Sequence, residues 1–147
     1  MAIGGLFSGV GGIELGFSRA GYDIAWANEM DPLAARTYES IHGHPLTYNY
    51  PLEQLIERLD SGEVELEPVE GLVGGFPCQA FSVAGYRRGF EDERGNVFFR
   101  IIDILQHFQN MEGEPMPRAL LLENVKNFRT HDDCRTYNTC VQVLNEM

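Results

Sequence analysis

Short apolar runs alternate with longer segments of helical periodicity along this chain. Short apolar runs bounded by turn residues are typical of buried strands, whereas apolar residues spaced three or four apart are typical of amphipathic helices. Regular alternation of the two is the pattern of βαβ units, which build a mainly parallel sheet. The pattern therefore predicts a three-layer α/β domain with helices flanking the sheet.

Four strands are predicted. They cover Ala2–Phe7, Tyr22–Ala27, Gly71–Phe76 and Arg118–Val125. The last strand contains an uninterrupted apolar run, Ala119 to Leu122. Because a central parallel strand is buried on both faces, such a run predicts a central position for this strand.

Helices are expected between the strands. They cover Ile13–Ala20, Pro32 to about Ile41, Leu52–Leu59, Asn96 to near Gly113, and Thr136–Met147. Asp31 before Pro32 is a strong helix start, since Asp caps free N–H groups and Pro suits the first helical position. The acidic stretch Ser61–Glu70 predicts a surface excursion. Pro77–Gly95 predicts a long loop, which is uncommon unless it is functional.

A glycine-rich turn, Phe7-Ser8-Gly9-Val10-Gly11-Gly12, separates the first strand from the first helix. Such glycines let backbone N–H groups approach a cofactor at a helix N-terminus. Glu14 stands where the dinucleotide fingerprint has its third glycine, and a carboxylate suits a pyrophosphate poorly, which favours a phosphate-free adenosine cofactor. Glu29 follows the second strand, where an acidic side chain meets ribose hydroxyls. The alternatives are a tight turn without a ligand and a solvated strand end.

Cys78 directly follows Gly-Gly-Phe-Pro at the end of the third predicted strand. Ligands of open α/β sheets bind at this edge, and a thiol beside a helix N-terminus is more readily ionised to the nucleophilic thiolate. The alternative is a small buried apolar residue, a common role of free cysteine. Cys134 and Cys140 have no neighbouring signal and are interpreted as structural.

Glu123-Asn124-Val125 ends the fourth predicted strand. A carboxyl group at the end of an otherwise apolar strand is a candidate proton donor, although it could also cap the following helix. The four histidines are scattered, with no spacing that suggests a metal site.

Composition adds limits to this interpretation. The length of 147 residues is typical of one domain. No apolar run approaches the length of a membrane span and no signal peptide is evident, so we expect a cytoplasmic protein without membrane partners. The net charge of −11 argues against strong DNA binding by this piece alone, because phosphate binding calls for a basic surface. This piece could still act on DNA if a basic recognition domain lay elsewhere in the chain or on a partner.

Taken together and in this order, these motifs strongly resemble the cytosine-5 DNA methyltransferase family. The resemblance covers most of the chain from Ile3 onward and is weakest from His44 to Glu70. It implies a Rossmann-like S-adenosylmethionine-dependent methyltransferase fold that is incomplete at its C-terminus. Residues 1–147 would be the N-terminal part of the catalytic domain, with the target recognition domain absent.

The resemblance also implies a cofactor site for S-adenosylmethionine. Glu29 would take the ribose, Met30 would pack against the adenine, and Asn49 stands where the family usually offers an Asp to the adenine. The implied cofactor residues are Phe7, Ser8, Gly9, Gly11, Gly12, Ile13, Glu29, Met30 and Asn49.

The catalytic residues implied by the resemblance are Cys78, adding to carbon 6 of cytosine, and Glu123, holding ring nitrogen 3 and the exocyclic amine. Double-stranded DNA would be the substrate, with the target base flipped out as in restriction-modification methylation. The loop Gln79–Gly95 would close over that base. The implied substrate-binding residues are Pro77, Gln79, Ser82, Arg88, Arg94 and Asn124.

Three hypotheses remain open at this stage. The first is a DNA methyltransferase whose activity needs a missing C-terminal half, either lost by truncation or supplied by a complementary polypeptide. The second is a transfer-RNA cytosine-5 methyltransferase, since one branch of the family methylates transfer RNA. The third is a non-catalytic fragment that only binds the cofactor. None of them requires a metal.

Overall fold

The computed structural model describes residues 1–77, 97–111 and 116–147. Its four strands form one sheet in the order β2-β1-β3-β4. Strand β1 pairs in parallel with both β2 and β3. The strands are β1 (Ala2–Leu6), β2 (Asp23–Ala27), β3 (Gly71–Gly75) and β4 (Ala119–Glu123). The predicted α/β fold and all four predicted strands are confirmed.

Six helices occur in the described residues. They are α1 (Gly12–Arg19), α2 (Pro32–His42), α3 (Leu52–Asp60), α4 (Val97–Asn110), α5 (Lys126–Thr130) and α6 (Arg135–Asn145). Helix α5 was not predicted, because five residues are too few to show helical periodicity. Both Asn96, the predicted cap of α4, and Gly113, its predicted end, lie outside the described residues.

Helix α2 is defined by its two ends, as the sequence predicts. Asp31 Oδ1 accepts hydrogen bonds from the Leu33 and Ala34 N–H groups at 2.7 and 3.4 Å, and Pro32 occupies the first helical position. Gly43 ends the helix with a left-handed φ of 74°. These local signals place Glu29 just before the helix and His42 in its last turn.

Strand β4 corrects one prediction. Among the strands of the described residues it lies at the end of the order, not in the centre, and Leu121 is 49% exposed. The apolar run Ala119 to Leu122 identified a strand correctly but not its neighbours. Which faces of a strand are buried depends on segments distant in sequence, and the composition of the strand does not specify them.

The segment Ser61–Glu70 agrees with its prediction only in part. Residues 61–63 are exposed as expected of a surface excursion, but Leu66 and Val69 are only 2% and 3% exposed. The Glu67 carbonyl accepts a 2.9 Å hydrogen bond from Trp26 Nε1. Glutamates flank both apolar residues in the sequence, and this acidic context led to the prediction of an exposed segment.

The chain groups into two compact units. The first comprises residues 1–75 and 103–122 and contains most of the sheet and the glycine turn. The second comprises residues 76–102 and 123–147. Among the described residues, no helix has the length and apolarity needed to cross a membrane, and no group of three or more potential metal ligands is present.

Candidate cofactor and active site

The glycine turn between β1 and α1 has an unusual backbone. Phe7, Gly9 and Gly11 have φ angles of 52°, 55° and 83°. Glycine tolerates this left-handed region, whereas a phenylalanine there is strained by about 1–3 kcal/mol. Strain of this kind is frequent at functional sites. Of the four non-glycine residues with a left-handed φ among the described residues, Phe7 lies in the predicted cofactor turn, and Asp132, Asp133 and Cys134 lie before α6.

Glu29 braces the outer part of this turn. Its Oε2 accepts a 2.8 Å hydrogen bond from the Gly9 N–H, and its Oε1 accepts one of 2.8 Å from the Asp31 N–H. A carboxylate oxygen can accept two hydrogen bonds, so both oxygens keep capacity for a ligand hydroxyl. The sequence spacing predicted that Glu29 lies near this turn, and in the structure Glu29 contacts it directly.

Asn28 is a residue of this site that sequence reasoning did not select. It is 2% exposed, and its carbonyl accepts a 3.0 Å hydrogen bond from the Ser8 N–H. Its side-chain amide donates to the Tyr48 and Tyr50 carbonyls at 3.1 and 2.8 Å. Asn28 therefore ties the turn to the loop before α3. In the sequence, the sign of this role was a polar Asn directly after the second strand.

The other predicted cofactor residues lie around this turn or beside it. Asn49 is exposed and donates from Nδ2 to the Glu29 carbonyl at 2.7 Å. Met30 is 65% exposed, an unusual state for a large apolar side chain beside a buried strand end. Gly12 and Ile13 line a shallow apolar depression along α1 together with Phe17 and Tyr22.

Glu14 lies beneath the turn and was noted in the sequence only as a departure from the dinucleotide fingerprint. It is 1% exposed, and its Oε2 has no hydrogen-bond partner among the described residues. Burial raises the pKa of Glu14, and the neighbouring Ser8 hydroxyl lowers it by less. The carboxyl occupies the space that a side chain on Gly5 would need.

Glu14→Gln is expected to stabilise the fold increasingly as pH rises. A carboxyl whose folded pKa lies above its ordinary value of 4.5 lowers stability once pH passes that value, because the folded protein must ionise a buried group. The amide removes this cost. Urea unfolding at several pH values measures it, with Glu39→Gln on the exposed face of α2 as the control. A stability difference that stays constant with pH would contradict the prediction.

Two predicted substrate-binding residues, Pro77 and Asn124, lie in the described part of the second unit. Asn124 Nδ2 donates to the Phe76 carbonyl at 3.1 Å, and Asn124 Oδ1 accepts from the Val125 N–H at 2.8 Å. Phe76 is buried and packs edge-on against Phe128, with ring centroids 5.5 Å apart. Asn124 thus anchors the chain two residues before Cys78, while its role toward substrate stays a prediction.

The described residues include only part of the predicted catalytic and substrate-binding set. Of these, Pro77 and Glu123 are exposed. The predicted nucleophile and four predicted substrate-binding residues lie outside the described residues: Cys78, Gln79, Ser82, Arg88 and Arg94. Of the other cysteines, Cys140 is buried in α6, and burial raises the pKa of its thiol to about 12. A thiol with that pKa is a poor nucleophile at neutral pH, in keeping with a structural role.

Comparison with known proteins identifies relatives over almost the entire chain. The family model described as C-5 cytosine-specific DNA methylase matches residues 1–147. The Type II methyltransferase M.Bsp6I of Bacillus sp. (strain RFL6) is 40% identical over 147 residues, covering 98% of this chain and 42% of the relative. M.HpaII of Haemophilus parainfluenzae is 36% identical and covers 96% of this chain and 36% of the relative. The chain thus spans well under half the length of these relatives.

Solved structures agree on the fold. A prophage-encoded Escherichia coli protein described as a DNA modification methyltransferase superposes with a TM-score of 0.72 at 26% identity, covering 99% of this chain and 38% of that one. The Dnmt2 methyltransferase of S. pombe superposes with a TM-score of 0.65 at 21% identity, covering 97% and 40%. Together with the family match over residues 1–147, this shows that the chain belongs to the C-5 cytosine-specific DNA methylase family.

Proposed function

We propose that this chain supplies the cofactor pocket and the nucleophile of a DNA cytosine-5 methyltransferase. The observation that carries the proposal is the family match over residues 1–147, which includes both the glycine turn and Cys78. The strained turn and the Glu29 brace at the carboxyl ends of β1 and β2 support a ligand site there. In open α/β sheets, ligands bind at this edge.

The residues of the first unit suit S-adenosylmethionine. Helix α1 begins at this turn without a side-chain cap, and free N–H groups at a helix N-terminus favour an anion such as the carboxylate of the cofactor's methionine part. The Glu29 carboxylate suits the ribose hydroxyls. A Cβ added at Gly9 or Gly12 would meet nothing within 4 Å, so the outer side of the turn is open. Met30 would cover one face of the adenine.

The chemistry follows from Cys78 and Glu123. The Cys78 thiolate would add to carbon 6 of cytosine and pass an electron pair to carbon 5, while the Glu123 carboxyl group holds nitrogen 3 and stabilises the adduct by proton donation. The bound cofactor supplies an electrophilic methyl group on its sulfonium, which carbon 5 takes. Water would then take the carbon 5 proton, the nitrogen 3 proton would return to Glu123, and the sulfur–carbon 6 bond would break to free the thiolate.

DNA is the proposed substrate, and the relatives suggest a role in restriction-modification. M.Bsp6I and M.HpaII are both Type II methyltransferases. A net charge of −11 disfavours phosphate binding, so we propose that DNA binding depends on regions like those that the relatives carry beyond the matched part. The cytosine would be flipped out of the duplex, since its carbons cannot be reached inside it.

The test combines this chain with the C-terminal part of M.Bsp6I. S-adenosylmethionine binding is measured by calorimetry, and transfer of a labelled methyl group is measured on duplex DNA and on transfer RNA, with the C-terminal part alone as control. Binding with transfer to DNA supports the proposal. Transfer only to transfer RNA would replace the substrate, binding without transfer would leave a cofactor module, and absence of binding would end the proposal.

A further inference from the structure

A second long-range contact holds the glycine turn, at Gly11. His42 Nε2 lies 3.1 Å from the Gly11 carbonyl oxygen, although the two residues are 31 positions apart. A carbonyl oxygen can only accept, so this ring nitrogen carries the proton and donates it. The same oxygen accepts the Leu15 N–H at 2.9 Å, the first backbone hydrogen bond of α1. His42 therefore contacts the turn where the helix starts.

The His42 ring is itself held in place. It stacks on the Tyr38 ring with centroids 4.0 Å apart and an interplanar angle of 15°. Tyr38 is fully buried, so one face of the imidazole packs on a fixed surface. His44 approaches the same tyrosine edge-on at 5.9 Å and lies 5.9 Å from the His42 ring, while its Nδ1 lies 3.1 Å from the Pro45 carbonyl oxygen and not at the glycine turn.

Packing around the turn differs sharply between its inner and outer glycines. A Cβ on Gly11 would collide with the His42 ring and lie 2.7 Å from the Tyr38 ring. A Cβ on Gly9 would meet nothing within 4 Å. Gly11 is thus covered by His42 and Tyr38 of α2, whereas Gly9 faces open space where a ligand would lie.

We propose that His42 is a positioning residue of the cofactor site, acting through Gly11. The two braces lie at opposite ends of α2, because Glu29 accepts the N–H of its N-cap Asp31 and His42 lies in its last turn. Together they fix the carbonyl and N–H directions that a ligand at the N-terminus of α1 meets. The inference rests on the proposed cofactor function, since positioning has meaning only toward a bound ligand.

The test uses matched variants. His42→Phe keeps a ring to stack on Tyr38 but removes the donor, His42→Gln restores a donor, and His44→Phe changes the neighbouring ring that lacks the contact. Affinity for S-adenosylhomocysteine is measured by calorimetry, with the C-terminal part of M.Bsp6I present. We expect His42→Phe to bind about fivefold more weakly, the loss typical of one hydrogen bond, and the other two variants to stay within about twofold of the unchanged chain.

A second measurement needs no ligand. Amide hydrogen exchange at Leu15 should be faster in His42→Phe and unchanged in His42→Gln and His44→Phe, because the brace stabilises the first turn of α1. Unchanged exchange and affinity in His42→Phe would overturn the inference, as would His42→Gln weakening binding as much as His42→Phe. If the unchanged chain fails to bind, the proposed function fails, while the exchange result still decides whether the brace exists.

Discussion

Cys78→Ser is expected to lower methyl transfer to DNA by at least about a thousandfold, because a serine hydroxyl stays protonated near neutral pH and cannot replace the thiolate in attack on carbon 6. The measurement is the initial rate of labelled methyl transfer in the combined protein. Cofactor affinity should remain within about twofold, since the glycine turn and Glu29 are untouched.

Cys134→Ser is the matched control for this prediction. Cys134 is partly exposed and precedes α6, and it carries the same thiol-to-hydroxyl change without the Gly-Gly-Phe-Pro context. Its rate should equal that of the unchanged protein. Normal turnover by Cys78→Ser would remove Cys78 as the nucleophile, whereas equal losses in both variants would point to general damage of the fold.

Glu29→Gln is expected to weaken S-adenosylmethionine binding by about tenfold to a hundredfold, because hydrogen bonds to a charged acceptor contribute about 1.5–3 kcal/mol each. Both Glu29 oxygens accept backbone N–H groups, from Gly9 and Asp31. A glutamine offers one acceptor and turns its NH₂ group toward the other N–H. The turn would lose its outer brace, and the ribose would lose an acceptor. Calorimetric titration measures the effect.

Glu39→Gln makes the same charge change on the exposed face of α2 and should leave the affinity unaltered. Urea unfolding of both variants then separates binding from stability. Affinity in Glu29→Gln equal to that of the unchanged chain would show that Glu29 supports only the backbone of the free protein and takes no part in holding the cofactor.

The sequence by itself determined the strands, most of the helices and the glycine turn that we propose as the cofactor site. Local rules sufficed for these features. Asp31, Pro32 and Gly43 bound α2 because capping and φ preferences act within a few residues. The glycine turn and Glu29 could be paired because the carboxyl ends of neighbouring parallel strands meet at one edge of a sheet.

Only the tertiary structure decided which residues meet across the chain. Leu66 and Val69 are buried despite an acidic context, and β4 lies at the end of the strand order despite an apolar run. Asn28 and His42 join the site through hydrogen bonds to partners 20 to 31 residues away. Such contacts depend on how whole elements pack, because a side chain's partners are set by chain segments that its own neighbours in sequence do not encode.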